Sequence, residues 1–346
     1  MQKIFLLIAC SSLCFIGCKK NRTEEPPAPV GTTVYMCGTS TNVAANITYA
    51  CYWKNGTVVP LTSNTAPGSD ATAEDIAVVG NDIYIVGGEK KSSGIYVAKY
   101  WKNGVVTNIT DGTRTGYASA IEVKGSDVYI AFHENNASGK RVAKLWKNGV
   151  ITNITDGSNN IGIYEMSVSG SDAYIVGYEF SGANRIPKYW KNGVAFTIPA
   201  VTPGSSLFTD IAVSGNDVYV SGTDFNPTQN AVLNKNGTPT WLASPGLANA
   251  WGGLFISGTD VYAGGAYINA AGNSVAAYWK NGTITSLTDD ITNASASDMF
   301  IFNTDVYASG YFTASGFAIA AWWKNGTLNT VGNTTERSIA FSIIVQ

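Results

Sequence analysis

Four acidic residues recur at one fixed spacing in the middle of the chain. They stand 45 residues apart, each five residues after the tyrosine of a repeated motif: Glu89, Glu134, Glu179 and Asp224. Equivalent positions in a structural repeat place side chains along one arc of the same face. Carboxylates held close together favour a ligand that relieves their repulsion, either a cation or a molecule rich in hydroxyl groups. We therefore predict that these four residues belong to a ligand-binding surface.

A second set of acidic and aromatic residues lies at or just before the first strand of several repeats. Its members are Glu165, Asp210, Tyr164, Phe208 and Trp251. Carboxylates bind hydroxyl groups and aromatic planes stack on ligands, so these five complete the predicted surface. The alternative is a rim of solvated loops, whose acidic residues keep the protein soluble.

Residues for catalysis are few. His133 is the single histidine, and it stands beside Glu134. One histidine excludes a multi-histidine metal site, and the sequence lacks G-x-S-x-G, P-loop and G-x-G-x-x-G motifs. We interpret His133 as a loop histidine, assign no catalytic residue and no metal site, and expect no cofactor, calcium being the one ion that such carboxylates could bind. Paired carboxylates at a channel mouth still support an alternative function as a glycoside hydrolase or lyase.

A repeated pentapeptide defines the elements that position these residues. Intact copies of YWKNG begin at Tyr52, Tyr100, Tyr189 and Tyr278. The variants LWKNG, LNKNG and WWKNG bring the total to seven, separated by 44 to 48 residues. A second motif of the form G-x-D-x-Y keeps the same spacing. Seven copies of one unit indicate a repeat architecture.

Each unit reads as four short strands. In residues 75–110 the apolar runs DIAVV, IYIVG, IYVAKYW and VVTNIT are separated by a Gly80–Asp82 turn, a polar loop and the pair Asn103–Gly104. Asn-Gly between β-rich runs is a strong hairpin signal, because a type I′ turn needs positive φ at both central residues. Seven four-stranded antiparallel units predict an all-β, seven-bladed β-propeller.

The two ends of the repeat array complement each other. The first unit begins at its second strand, TTVYMCG, and the sequence finishes on an unpaired first strand, SIAFSIIV, at residues 338–345. Pairing the C-terminal strand with the N-terminal strands removes two exposed sheet edges. We therefore predict a ring closed by one blade shared between the termini.

Residues 1–18 have the pattern of a lipoprotein signal peptide. Lys3 precedes a short apolar run, and FIGC at residues 15–18 resembles a lipobox whose Cys18 receives the lipid. Residues 19–30 are polar and proline-rich and are interpreted as a disordered tether, which leaves residues 31–346 for the propeller. The alternative is an ordinary signal peptide with another cleavage site.

The repeat resembles known families in part. An apolar strand with Gly-Gly followed by Tyr and Trp in the next strand (IYIVGG…YVAKYW) resembles the repeats of kelch propellers. In kelch repeats the Tyr and Trp flank a turn, whereas here they are adjacent and precede it, so the resemblance implies the architecture alone. The lipobox together with YWKNG repeats is more similar to uncharacterised bacterial surface lipoproteins.

Cys10 and Cys14 leave with the signal peptide and Cys18 takes the lipid, so Cys37 and Cys51 are the cysteines left over, in adjacent predicted strands. An exported protein meets an oxidising compartment, which permits a cross-strand disulfide. Disulfide geometry is demanding, and two buried free thiols fit the sequence equally well.

Composition bounds the class of partner. The formal net charge is −2 with 13% charged residues, which argues against nucleic acid because phosphate binding requires clustered Lys and Arg. We predict a monomeric, non-enzymatic binding or protein-interaction module on the bacterial envelope, attached to the outer membrane by its lipid alone. The expected ligand is a glycan or a protein of the envelope surface, bound on the loops opposite the Asn-Gly hairpins.

Overall fold

The computed structural model describes residues 31–63, 70–201, 206–226, 228–289, 291–332 and 336–346. The predicted signal peptide, Cys18 and the tether lie outside these residues. A compact unit spans Thr33–Gln346. Within the described ranges, no helix is long and apolar enough to cross a membrane.

The regular elements of the described ranges are β-strands joined by turns and loops. Along the first half of the chain they are β1 (Val34–Asn42), β2 (Ile47–Lys54), β3 (Thr57–Pro60), β4 (Ala71–Val79), β5 (Asp82–Lys90), β6 (Tyr96–Lys102), β7 (Val105–Asn108), β8 (Gly116–Lys124), β9 (Asp127–Asn135), β10 (Arg141–Lys147), β11 (Val150–Asn153), β12 (Ile161–Ser169), β13 (Asp172–Ser181), β14 (Asn184–Lys191) and β15 (Val194–Thr197). Along the second half they are β16 (Ser206–Ser214), β17 (Asp217–Asp224), β18 (Asn230–Lys235), β19 (Thr238–Trp241), β20 (Ala248–Asn249), β21 (Leu254–Ser257), β22 (Asp260–Ile268), β23 (Ser274–Lys280), β24 (Thr283–Ser286), β25 (Ala294–Phe302), β26 (Asp305–Ala314), β27 (Phe317–Lys324), β28 (Thr327–Thr330) and β29 (Ser338–Val345).

The strands form seven antiparallel blades in a ring, as the sequence predicts. Blade 1 has the order β29-β1-β2-β3, and blades 2 to 5 follow as β4–β7, β8–β11, β12–β15 and β16–β19. Blade 6 comprises β20–β24, with β20 and β21 both paired to β22, and blade 7 comprises β25–β28. The pairing of β29 with β1 closes the ring and confirms the shared blade.

The innermost strand of most blades contains a β-bulge. In blade 2, Ala73 lies opposite Gly87 and Asp75 lies opposite Val86, so Glu74 is an extra residue. Equivalent register shifts occur in blades 1, 3, 4, 5 and 7. A bulge interrupts the alternation of side chains. Here Glu74 and Asp75 consequently line different halves of the central channel.

The Asn of each YWKNG motif joins the two hairpin turns of its blade. Asn103 has φ 51° and Gly104 has φ 79°, as a type I′ turn requires. The Asn103 amide donates to Asp82 Oδ1 at 2.8 Å, and its oxygen accepts the Ile83 N–H at 2.8 Å. Blades 3 to 7 repeat both contacts. Blade 1 has Thr33 in place of Asp and keeps the second contact, from the Val34 N–H to Asn55.

The Lys of the motif completes this arrangement at the surface. Lys102 Nζ lies 3.0 Å from Asp82 Oδ2 and 4.9 Å from the centroid of the Tyr84 ring. Because such exposed ion pairs contribute little to stability, the Asn-Gly turn and its amide contacts determine the hairpin geometry more than the Lys does.

The apolar core lies between blades. Within the described residues, one apolar cluster occupies each of the seven interfaces between neighbouring blades. The motif Trp fills most of them and is buried at five positions: Trp53, Trp101, Trp190, Trp279 and Trp323. Truncating a buried Trp to Ala costs about 3–5 kcal/mol. The motif that repeats in the sequence is therefore scaffold.

The two cysteines are free and buried. Cys37 lies opposite Tyr52 in the β1–β2 ladder, whereas Cys51 lies opposite Gly38. Side chains alternate between the faces of a strand, so Cys37 packs between blades 1 and 2 and Cys51 packs between blades 7 and 1. This placement on opposite faces excludes the disulfide. Burial raises the pKa of both thiols.

Ring closure provides the first prediction. Removing Ser338–Gln346 deletes β29 and with it apolar side chains at both interfaces of blade 1. We expect the single cooperative thermal transition to be lost, or the protein to aggregate through the exposed edge of β1. Circular dichroism and scanning calorimetry measure this.

A matched control removes a strand without opening the ring. Replacing Thr327–Thr330 by Gly and Ser eliminates β28, which is the outermost strand of blade 7. This variant should retain one cooperative transition at a lower temperature. A chain lacking β29 that melts like the parent would contradict the closure argument.

Candidate functional site

A polar and aromatic pocket of about 630 Å³ opens at one mouth of the central channel. The inner strands supply most of its wall, from the residue at each bulge and from those that precede it. The Asn-Gly turns lie at the opposite end of these strands, because Asn103 binds the turn that follows β4. The pocket is therefore on the predicted loop face. Its lining residues are Glu74, Tyr117, Ser119, His133, Ile163, Tyr164, Glu165, Asn249, Trp251, Ser274, Ser295, Ala296, Ser297, Tyr311 and Phe341.

Glu74 and Tyr117 form a hydrogen-bonded pair in this pocket. The Tyr117 hydroxyl donates to Glu74 Oε1 and also contacts the Thr72 hydroxyl. Burial raises the pKa of Glu74, against the opposing effect of hydrogen bonds from Tyr117 and Thr72. Burial, with the Glu74 charge adding to it, also raises the pKa of Tyr117. Tyr117 is therefore a phenol at neutral pH, and it positions the carboxyl of Glu74.

His133 lies beside Tyr117, with ring centroids 6.2 Å apart and an interplanar angle of 26°. Burial, with a smaller effect of the Arg141 charge, lowers the pKa of His133 to about 4. The imidazole is neutral at pH 7, so one of its nitrogens is an acceptor. Nδ1 is buried and has no hydrogen-bond partner among the described protein atoms. His133 therefore lines the pocket as an uncharged ring.

Trp251 lines the pocket from the gap between β20 and β21, where the inner strand of blade 6 is interrupted. Asn249 pairs with Ala266, and pairing resumes at Leu254 with Ala263, so residues 250–253 lie opposite two residues of β22. Other blades accommodate one extra residue at this level. The longer insertion leaves Trp251 42% exposed, with its ring 6.3 Å from that of Phe225.

Deeper in the central channel, carboxyl groups form hydrogen bonds with the backbone of the neighbouring blade. Asp75 Oδ2 accepts the Ile121 N–H of blade 3 at 2.7 Å, and Asp298 Oδ2 accepts the Ile343 N–H of blade 1 at 2.9 Å. Asp210 accepts the Leu254 N–H in the same way. Each bond satisfies a backbone group just after the bulge or interruption of the following blade. These carboxyls are consequently structural.

Ser342 links two of these carboxyls. Its hydroxyl oxygen lies 2.8 Å from Asp75 Oδ1 and 2.9 Å from Asp298 Oδ2. A hydroxyl has one proton and can donate to only one of them. The second contact becomes a hydrogen bond when that carboxyl is protonated and donates to Ser342. The series of contacts from Asp75 through Ser342 to Asp298 therefore favours one proton shared between the two carboxyl groups.

Electrostatics at the axis agrees with this geometry. Burial raises the pKa of Asp298 to about 7, with the Asp75 charge adding to the effect and the Ile343 N–H opposing it. Burial also raises the pKa of Asp75, Glu165 and Asp210, and neighbouring carboxyls raise each further. The channel therefore retains protons that isolated carboxyls would release.

The four acidic residues predicted to form an arc are placed elsewhere and are compensated. Glu89 pairs with Lys99 at 2.6 Å, Glu134 pairs with Lys144 at 2.6 Å, and Glu179 pairs with Lys188. Asp224 is buried and accepts the Trp241 indole N–H at 3.4 Å. None of the four is among the residues that line the pocket.

The pKa of Glu179 shows how these ion pairs stabilise the charged form of the carboxylates. Burial acts to raise this pKa, but hydrogen bonds from Lys188 and Asn159 outweigh burial, so the net pKa lies below its ordinary value.

The Lys residues that pair with these glutamates belong to the third strand of each blade, two residues before the motif Trp. Units with Glu89, Glu134 and Glu179 carry this Lys, whereas the unit with Asp224 carries Val232. That correlation was present in the sequence.

The second predicted set is divided among three places. Tyr164, Glu165 and Trp251 line the pocket. Asp210 lies in the other half of the channel, and Phe208 is fully buried between blades 4 and 5. One carboxyl group, that of Glu165, and two aromatic rings, those of Tyr164 and Trp251, therefore meet in one pocket.

Pocket residues outside the two predicted sets include Glu74, Tyr117, Tyr311 and Phe341. Aligning the units on the bulge would have found Glu74 and Phe341, because they occupy the same level of their blades as Tyr164. Ser342 carries no such signal, since its role depends on carboxyls from blades 2 and 7. Among the described residues, no group of three or more His, Cys, Asp or Glu has the arrangement of a metal site.

Comparison with protein-family models and with curated proteins gives no match. Solved structures similar to this chain include the acylaminoacyl peptidase of Pyrococcus horikoshii (16% identity, TM-score 0.47, 75% of this chain and 46% of that one). The β-propeller domain of the Pyrococcus furiosus trilobed protease has 12% identity and a TM-score of 0.46, over 76% and 85% of the two chains. Trypanosoma rangeli sialidase has 10% identity and a TM-score of 0.47, over 78% and 56%.

The chain spans about half the length of the first of these structures. At such identities the similarity concerns the fold. The resemblance of the repeat to kelch propellers and to surface lipoproteins stays a prediction.

The buried carboxyls predict a pH-dependent stability. A group whose pKa is higher in the folded state binds protons more tightly there, so its contribution is present at low pH and is lost as the pH rises through the folded pKa. For Asp298 that window extends from about 4 to about 7. The free energy of unfolding of the parent, relative to that of Asp298→Asn, should therefore fall between pH 4.5 and 7.5 in urea titrations.

Asp305→Asn is the control for this measurement. Asp305 lies at the surface, where hydrogen bonds from Lys324 and Asn325 lower its pKa. Its contribution changes below pH 4, so the difference from the parent should stay constant across the window. A free energy of unfolding of the parent that stays constant or rises with pH, relative to that of Asp298→Asn, would refute the raised pKa.

Proposed function

We propose that the pocket at the channel mouth binds a neutral, hydroxyl-rich ligand, such as part of a glycan chain, and that the protein is a binding module. The observation that carries this proposal is the combination of an exposed aromatic ring, Trp251, with partly buried, uncharged hydrogen-bonding groups. Aromatic faces stack on the apolar faces of sugar rings, and the hydrogen-bonding groups bind hydroxyl groups around them.

The polar groups in the pocket support a ligand that donates hydrogen bonds. His133 is neutral and lines the pocket. Ser119, Ser297 and Asn249 contribute side chains that both donate and accept. Burial favours the protonated forms of Glu74 and Glu165.

The charge of the pocket supports a neutral ligand. No Lys or Arg is among the described residues that line it. An anionic sugar or a phosphate would meet carboxyl groups without a compensating cation, which is unfavourable in a partly buried site. We therefore expect neutral glycans to bind in preference to sialylated, sulfated or phosphorylated ones.

A second candidate function is glycoside hydrolysis. It is favoured by the presence of two carboxyls with raised pKa in one pocket, Glu74 and Glu165, together with the Tyr117 hydroxyl on Glu74. A carboxyl that keeps its proton at neutral pH can act as a general acid, and a second one can act as a base or nucleophile. Binding is preferred because Glu165 also accepts the backbone N–H of Met166, a structural contact at the bulge.

The test is glycan-array binding by the full-length chain, with Trp251→Ala as the variant. We expect retention of neutral glycans by the parent, and affinity at least about tenfold lower for the variant, equivalent to about 1.4 kcal/mol. Thermal melting of the variant should resemble that of the parent, since the ring is half-exposed.

Trp241→Ala is the matched control. Trp241 is 45% exposed, but it lies on β19, the outermost strand of blade 5. Its loss should leave glycan binding unchanged. Equal weakening by both variants, or no glycan retained by the parent, would overturn the binding proposal. Cleaved products that disappear in Glu74→Gln or Glu165→Gln would establish the hydrolase instead.

We also propose that the propeller is displayed on a bacterial envelope through a lipid on Cys18. The support is the apolar run after Lys3 and the FIGC sequence. Fatty-acid labelling of the protein in a bacterial host should be abolished by Cys18→Ser, and the variant should leave the membrane fraction. Undiminished labelling of Cys18→Ser would show that this cysteine is not the anchor.

A further inference from the structure

One interface between blades lacks the motif Trp. The third strand of blade 5 carries Asn234 at the position occupied by Trp in every other unit. Asn234 is 2% exposed. Burying a polar amide in an apolar interface is unfavourable unless its hydrogen bonds are satisfied.

Asn234 reproduces the hydrogen bond of the Trp that it replaces. In blade 6, Trp279 Nε1 donates to the Ala243 carbonyl at 2.7 Å. In blade 5, Asn234 Nδ2 donates to the equivalent carbonyl, that of Pro199, at 2.8 Å. Asn234 Oδ1 accepts the Gly237 N–H at 2.8 Å. The amide is held in place, but it fills far less volume than an indole ring.

A cavity of about 230 Å³ lies beside Asn234, between blades 4 and 5. An apolar protein cavity of about 150 Å³ is large enough to bind benzene. The cavity reaches the surface beside Phe196, which is 41% exposed, and the exposed Gly237. A small molecule therefore has both the space and an entrance.

The wall of this cavity is the wall that surrounds a Trp elsewhere. Between blades 1 and 2, Trp101 shares an apolar cluster with Tyr52, Leu61, Ile83 and Ile85. The equivalent residues of blades 4 and 5 line the cavity: Tyr189, Ile198, Val218 and Val220. The space is thus shaped by side chains that pack around an indole in the neighbouring repeats.

We propose that this cavity, the indole pocket, is a binding site for a small, uncharged, planar aromatic molecule of about the size of indole. The Tyr189 and Phe196 rings are stacked at one wall, with centroids 4.9 Å apart and an interplanar angle of 8°. Such a flat aromatic wall suits a second planar ring. None of the residues that line the indole pocket is charged, so an ionised ligand would be desolvated without compensation.

The indole pocket is independent of the pocket at the channel mouth. The two have no lining residue in common. A ligand in the indole pocket fills a gap in one interface of the folded ring. Because it binds the folded state, the melting temperature of the protein should rise with the ligand concentration. Binding is therefore measurable whatever the function of the channel mouth.

The experiment uses the full-length chain and 5-fluoroindole as the probe. Fluorine NMR should detect a bound signal with one site per chain, and scanning calorimetry should show a melting temperature that rises with probe concentration. Asn234→Trp fills the indole pocket with the ring that other repeats contain. This variant should melt higher than the parent without ligand and should lose the bound signal.

Two further variants keep the outcome decisive. Val218→Phe fills the indole pocket from the opposite wall, and it replaces Asn234→Trp if that variant does not fold. Trp251→Ala, at the channel mouth, should bind the probe as the parent does. Absence of a bound signal in the parent, or an undiminished signal in both filled variants, would overturn the proposal. A signal lost only in Trp251→Ala would move the site to the channel mouth.

Discussion

Every blade of the ring must bury both of its faces against its neighbours. A blade is a single twisted sheet with no core of its own, and both of its faces carry apolar side chains. Cys37 and Cys51 illustrate this, since neighbouring strands of blade 1 contribute one to each adjoining interface. Only a closed ring covers both faces of every blade, so the pairing of β29 with β1 is a condition for the stability of all seven.

The bulge in the inner strands connects this scaffold to the site. It changes the alternation of side chains near the axis, so that Glu74 lines the channel mouth while Asp75 binds a backbone N–H of the next blade. The same bulge thus provides both a pocket residue, Glu74, and a structural contact deeper in the channel, that of Asp75. Blade 6, where the strand is interrupted, supplies an exposed ring, Trp251, instead.

Differences among repeats, rather than the repeated residues, create the surfaces on which a ligand can bind. Trp101 and its equivalents pack blades together, and Asn103 and its equivalents form turns. The channel mouth takes its character from positions that vary, and the indole pocket results from one Trp replaced by Asn. A propeller tolerates such changes because each interface contributes only part of the total stability.

Local patterns in the sequence determined the architecture. The 44- to 48-residue spacing gave the number of blades, the Asn-Gly pairs gave the hairpins, and the orphan strand at residues 338–345 gave the closure. These features depend on turn chemistry and on strand periodicity, which act over a few residues. The face that carries the channel-mouth pocket followed from them as well.

Which side chains contact one another depends on the tertiary structure. One extra residue in a strand reverses the direction of those that follow, so the acidic residues at the axis could not be separated from those at the rim by periodicity. Lys99 compensates Glu89 across a hairpin, and Ser342 contacts Asp75 from a strand 267 residues away. Such contacts depend on the closed ring, which brings distant strands together, and no local pattern in the sequence specifies them.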